Sequence, residues 1–218
     1  MAKSHDTPIQ DILKEIHNGT TRLPDFQRGW VWDDERIRAL IASITCSYPV
    51  GAVMFLEYGG DGIRFKSRTF TNVADDGKTP EMLVLDGQQR LTSVYCAMYS
   101  KSPVPTQTIK KEDIQRYYYL DIEKCLDPST DRVDAVISIP ADRKTKDAFG
   151  RNVITDLSTR HGEFQNHMFP LNIIFDSIAL DEWKDDYRDF HNNPDISKLL
   201  RKFTAEVLYP IILYTSPV

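Results

Sequence analysis

The feature that most constrains this chain is a junction between two kinds of periodicity. Met82-Leu83-Val84-Leu85 is a short apolar run, the length of a buried strand. It ends at Asp86-Gly87, after which Leu91, Val94, Tyr95 and Met98 recur at the spacing of one helical face. A strand that passes so quickly into a helix leaves the helix's first turn at the strand's end. Backbone N–H groups there lack helical partners, and the helix dipole favours an anion. Gly87 permits both the sharp turn and close approach of a ligand to the main chain. The residues set at this point are Asp86-Gly87-Gln88-Gln89-Arg90. Arg90, one turn in, suits a bidentate grip on phosphate oxygens. Gln88 and Gln89 suit a water or a phosphate oxygen, and Asp86 suits Mg²⁺ or an attacking water. The same residues also read as a plain strand-to-helix turn with a capping Asp.

A second cluster lies upstream, in Leu23-Pro24-Asp25-Phe26-Gln27-Arg28-Gly29-Trp30-Val31-Trp32. It places a Gln-Arg pair and two indoles in one loop before a helix. Arg28 suits a second phosphate contact, with Gln27 beside it, and Trp30 suits stacking on a base. Trp32 precedes Asp33, a helix cap, and reads as a hydrophobic staple.

Around these clusters the pattern predicts an α+β chain. The first helix carries Ile9, Ile12, Leu13 and Ile16 on one face, with Thr7 as cap and Pro8 in the first turn. The second carries Ile37, Leu40, Ile41 and Ile44 after Asp33. Val50 to Tyr58 reads as a strand, 59–62 as a turn, and Ile63 to Phe70 as the returning strand with Arg64, Lys66 and Arg68 on a solvated face. Strands are predicted at Tyr117 to Ile122 and Val133 to Ile139. The charged stretch Asp142 to Asp147 reads as a mobile connection, with helices around Asp181 to His191 and Asp195 to Leu208. Tyr209 to Tyr214 reads as a strand that stops short of the terminus, which suggests a truncated chain. We place a boundary at 140: an α+β nucleotide- and phosphate-binding core over 1–140, and a mainly helical extension over 141–218.

Composition excludes several alternatives. A net charge of −5 argues against a wholly basic nucleic-acid binder, though a local basic groove remains compatible with it. Cys46, Cys96 and Cys125 are too widely spaced for a zinc knuckle or a redox pair, and read as free thiols of a cytoplasmic protein. His161 and His167 have no cysteine nearby, so a zinc site is not supported. There is no Walker loop, zinc-protease helix or nucleophile elbow. No apolar run approaches a membrane span, and the N-terminus shows no signal peptide.

The two clusters together resemble the N-terminal family of GmrSD-type restriction endonucleases. The residues that carry the likeness are Leu23-Pro24-Asp25-Phe26-Gln27-Arg28 with Trp32, then Tyr48-Pro49-Val50-Gly51, then Leu85-Asp86-Gly87-Gln88-Gln89-Arg90-Leu91-Thr92-Ser93. Phe169-Pro170-Leu171 and Tyr209-Pro210-Ile211-Ile212 are weaker landmarks of the same family. The resemblance implies a ParB- and sulfiredoxin-like small mixed sheet with flanking helices. It further implies nucleoside-triphosphate hydrolysis tied to restriction of modified or foreign DNA. On this basis Asp86, Gln88, Gln89 and Arg90 carry hydrolysis, Asp86 holds Mg²⁺, and Gln27, Arg28, Gly87, Arg90 and Trp30 bind the nucleotide. The implied partners are DNA, modified or not, and a C-terminal nuclease domain beyond these residues, with an oligomer compatible. A non-hydrolysing clamp for a nucleotide or a DNA backbone phosphate is the alternative.

Overall fold

A computed structural model describes residues 6–59, 65–147 and 150–217. The architecture is α+β, as the patterning predicts, built on two four-stranded sheets and two two-stranded pairs among the described residues.

The chain opens with β1 (Asp6–Pro8) and α1 (Ile9–His17), whose four predicted apolar positions are all buried. Thr7 does not cap the helix. It pairs with Ser216 in β1, and Pro8 takes the capping position without a side-chain bond. Next come β2 (Thr21–Pro24) and α2 (Asp34–Thr45), and the carboxylate of Asp33 caps α2 by accepting from the Arg36 amide, as predicted. Three strands follow, β3 (Met54–Glu57), β4 (Ser67–Arg68) and β5 (Met82–Asp86).

These form one sheet in the order β3-β5-β2-β4, with β2 and β5 parallel and the other pairs antiparallel. Among the described residues, the strands predicted on either side of residues 59–62 do not pair with each other. The turn itself, past Gly59, and the start of the second strand, residues 60–64, lie outside the described residues. Where the flanks are described, β3 pairs with β5 and β4 with β2, at opposite edges. The physical reason is burial: Leu83 and Val84 are both wholly enclosed, one on each face of β5, and every residue of β2 is buried. Such strands belong in the middle of a sheet, and the more exposed β3 and β4 stand at its edges.

From β5 the chain enters α3 (Gln88–Val94), which runs on as a π-helical turn over Tyr95–Tyr99. The second sheet is built on β7 (Asp113–Asp121), reached through β6 (Val104–Gln107). After α4 (Ile122–Leu126) and α5 (Arg132–Ala135), β8 (Val136–Pro140) returns along β7. The strand predicted from Val133 thus begins three residues later, because Asp131 caps a helical turn there by accepting from the Val133 amide.

The stretch Asp142 to Asp147 contains a paired strand. Within it β9 (Lys144–Lys146) pairs with β10 (Val153–Asp156), held by a 2.8 Å bridge from Lys144 to Asp156. After α6 (Arg160–Gln165), β11 (Met168–Pro170) pairs with β7, so residues on both sides of position 140 share one sheet and one hydrophobic core.

Two longer helices, α7 (Ser177–His191) and α8 (Pro194–Phe203), complete that core. Trp183, Tyr187, Phe169 and Phe203 are fully enclosed in it. The run Tyr209 to Tyr214 is not a strand. It folds as α9 (Tyr209–Ile212) and only Thr215–Pro217, as β12, pairs with β1. The overlooked signal is a helical stripe, since Phe203, Val207, Leu208 and Ile211 are all buried at helical spacing.

One carboxylate lies inside this apolar core. Glu163 Oε2 accepts from Trp183 Nε1 at 2.9 Å, and burial pushes the Glu163 carboxyl above its usual range despite that bond and the positive field of Arg143 and Arg160. A raised folded-state pKa means stability is lost as pH rises through the carboxylate range. Glu163→Gln keeps an acceptor for the indole without the charge. Urea midpoints should therefore show the variant to be the more stable protein at neutral pH, with the gap closing in acid as the native carboxyl becomes neutral. A gap that widens in acid would contradict this account.

Candidate phosphate-binding site

The parallel pairing of β2 with β5 brings the two sequence clusters side by side. Both strands end at the same level, so the loop after Pro24 lies against the start of α3. Gly87 makes the turn with a φ of 90°, a left-handed conformation costly for any residue with a Cβ. A Cβ at this position would also come within 3.1 Å of Val53. The first helical bond of α3 runs from the Leu91 amide to Gly87 O at 2.9 Å, so the amides of residues 88–90 precede the ladder.

The amide side chains then stitch the two segments together. Gln27 Nε2 donates to the carbonyls of Val84 and Leu85, each at 2.8 Å. Gln88 Nε2 donates to Arg28 O at 3.0 Å. Gln89 works in both senses: its Nε2 donates to Gly29 O at 3.1 Å, and its Oε1 accepts from the Val31 amide at 3.0 Å. Arg68, on β4, adds a bond of 3.2 Å to Arg28 O.

Arg90 points elsewhere. Its guanidinium donates to the carbonyls of Val50 and Ala52, the latter at 2.7 Å, and pairs with Asp86 Oδ2 at 3.5 Å. The space it fills exists because residue 51 is glycine. Gly51 has a φ of 93°, and a Cβ there would collide with the guanidinium.

These residues surround a cavity of about 400 Å³, lined by Gln27, Arg28, Trp32 and the run from Leu85 to Arg90. Two charged groups in it are available. The Asp86 side chain is 74% exposed, and the Arg28 guanidinium has no hydrogen-bond or ion-pair partner among the described residues. The backbone amides that open α3, at residues 88–90, follow Asp86 directly, and those residues line the same cavity. This is an arrangement of one carboxylate, one free guanidinium and a helix start, which suits an anion bound with a cation.

Trp30 does not line this cavity. Its Nε1 donates to Ser93 Oγ at 3.1 Å, and its ring lines the neighbouring cavity, so Trp32 is the indole beside the motif. The sequence reading passed over Gly51 and Arg68. The first stood in plain view in Tyr48-Pro49-Val50-Gly51, but its purpose is visible only once Arg90 is seen against it. The second belonged to an alternating basic strand that looked like a solvated face.

Comparison with known proteins adds two findings. The sequence profile described as GmrSD restriction endonuclease, N-terminal domain, matches residues 9–208. The chain is also 33% identical over 150 residues to the uncharacterized protein MJ0686 of Methanocaldococcus jannaschii. That match covers 65% of this chain but 24% of the relative, so the chain spans about a quarter of the relative's length.

Gly51→Ala combines a left-handed backbone with a Cβ driven onto the Arg90 guanidinium, and is expected to cost at least about 1–2 kcal/mol. Gly29, in the same region, has open space around its Cβ position. Gly29→Ala should change stability by no more than about 0.5 kcal/mol. Denaturant midpoints for the pair test this; equal losses would mean that the glycine at 51 is not serving Arg90.

Proposed function

This chain belongs to the GmrSD restriction endonuclease N-terminal domain family, and from that premise we propose that it is the nucleotide-hydrolysing, DNA-responsive module of a restriction-type defence protein. The observation that carries the reading is the presence, in one cavity at the start of α3, of the exposed Asp86 carboxylate and the Arg28 guanidinium, which has no partner among the described residues. A nucleoside triphosphate brings several negative oxygens, which need a fork of N–H donors and a compensating cation.

In this reading Arg28 grips terminal phosphate oxygens, and the amides at the start of α3 take others. Asp86 would orient the attacking water or hold Mg²⁺. A single carboxylate fits that ion, which commonly binds through one or two carboxylates together with substrate phosphates. When bound, Mg²⁺ neutralises charge on the phosphates. Gln27, Gln88 and Gln89 keep the Arg28 loop in place, and Arg90 holds Asp86 and the 50–52 turn. DNA, modified or not, and a nuclease domain elsewhere in the protein or on a partner are the proposed counterparts.

A second reading has its own support. Gln27, Gln88, Gln89 and Arg90 are all engaged with main-chain atoms. A site whose polar side chains are so committed suits holding a phosphate, from a nucleotide or a DNA backbone, without hydrolysing it.

Phosphate release from each common nucleoside triphosphate with Mg²⁺, with and without DNA, separates the two. Arg28→Ala should raise KM about tenfold or more, because a charge-assisted fork is lost. Asp86→Asn should lower turnover by about a hundredfold or more. Arg90→Ala should lose turnover together with stability. Nucleotide binding without release would select the clamp, and release that is unchanged in all three variants would place the chemistry elsewhere.

A further inference from the structure

Two short segments at the β4 edge of the first sheet repeat one pattern, a phenyl ring followed closely by cations. Asp25-Phe26-Gln27-Arg28 continues from β2, and Phe65-Lys66-Ser67-Arg68 runs into β4. Strand pairing sets Pro24 against Ser67, and the Asp25 amide donates to Lys66 O at 2.9 Å. The two rings are thereby brought edge to face, with centroids 5.1 Å apart. Rings held in this way stack on a planar ligand with little ordering cost.

Their mutual contact does not bury them. Phe26 is 61% exposed and Phe65 is 37% exposed. A single exposed apolar side chain is ordinary, but two in contact beside a polar site mark a surface for a partner. The charges beside them define that partner. Lys66 is exposed, and its ammonium has no hydrogen-bond or ion-pair partner among the described residues. Arg28 and Arg68 are also cations, and Asp25 is the one acidic residue of the two segments. A chain with a flat ring and a phosphate in every repeating unit matches both the rings and the charge.

Resting on the DNA-responsive reading above, we propose that Phe26 and Phe65, with Lys66 beside them, form a docking surface for single-stranded DNA. In a duplex the faces of each base are covered by its neighbours, so only an unpaired strand can offer them to the phenyl rings. Lys66 meets the backbone as a point charge. The surface is joined to the motif cavity by main-chain contacts. Arg68 Nη2 donates to Arg28 O at 3.2 Å and to Gln27 O at 3.5 Å. The loop that presents Phe26 thus also carries Arg28 into the cavity, so a strand held on the rings bears on the phosphate site through one hydrogen-bonded segment.

The test uses the full chain and fluorescence anisotropy with a labelled oligothymidylate and a blunt duplex of the same length. Phosphate release from each common nucleoside triphosphate is measured beside it. The single strand should bind about tenfold more tightly than the duplex, and Phe26→Ala should lose about that factor on the single strand alone. Phe65→Ala should weaken the single strand in the same sense, and Phe26→Trp should restore it, which a merely distorted loop would not. Lys66→Ala should weaken binding and lower the salt slope by about 0.7, while Asp25→Asn should tighten it. A duplex bound as tightly as the single strand, or single-strand binding unchanged in Phe26→Ala, overturns the assignment. So does self-association that Phe26→Ala abolishes in a protein that ignores the oligonucleotide, which would make the surface a contact between copies. Phosphate release without oligonucleotide binding overturns the DNA surface and leaves the phosphate site standing. Single-strand binding that depends on the rings, without release, supports the surface and removes the hydrolytic reading instead.

Discussion

The guanidinium of Arg90 lies against the carbonyls of Val50 and Ala52, with the Asp86 carboxylate 3.5 Å away, in a space left by the missing Cβ of Gly51. A partly buried guanidinium is costly unless its donors are met, and hydrogen bonds to a charged group are each worth about 1.5–3 kcal/mol. Those bonds join the turn before β3 to the helix after β5. Gln27, Gln88 and Gln89 do the same for the loop after β2. The cavity is therefore a product of side-chain-to-backbone stitching: three stretches far apart in sequence are held at hydrogen-bond distance by four motif side chains.

That use of the motif alters which residues are left for a ligand. The side chains of Gln27, Gln88, Gln89 and Arg90 are engaged with main chain, while Asp86 is open to solvent and Arg28 has no partner among the described residues. The stitched residues set where these two stand, and preorganisation of that kind is what makes a polar site effective. Trp32, lining both this cavity and its neighbour, makes the two continuous parts of one surface.

The rest of the fold supports this edge from behind. α1 packs on β2, the buried residues of α1, α2 and α3 share one core with Leu23 and Val84, and the aromatic core around Trp183 anchors the second sheet through β7. Since β6 and β11 pair with β7, packing contributed by the helices after position 140 reaches the hairpin that lines the second cavity.

Much of this was legible in the chain itself. The Met82–Leu85 run, Gly87 and the stripe from Leu91 to Met98 determine a strand, a tight turn and a helix, because burial and φ are local demands. Asp33 as a cap, the stripes of α1 and α2, and the α+β class followed for the same reason. Partnership in the sheets did not follow. Nothing between Val50 and Phe70 says that its two strands separate to opposite edges, since that depends on how deeply β5 and β2 are buried by helices distant in sequence. The charged stretch 142–147 became a strand through Val153–Asp156, and Tyr209–Ile212 a helix through the stripe it continues. In the site, the sequence determined which polar groups are present. Which of them are engaged was decided by tertiary structure alone, because a guanidinium or an amide bonds to whichever carbonyl the fold brings within reach.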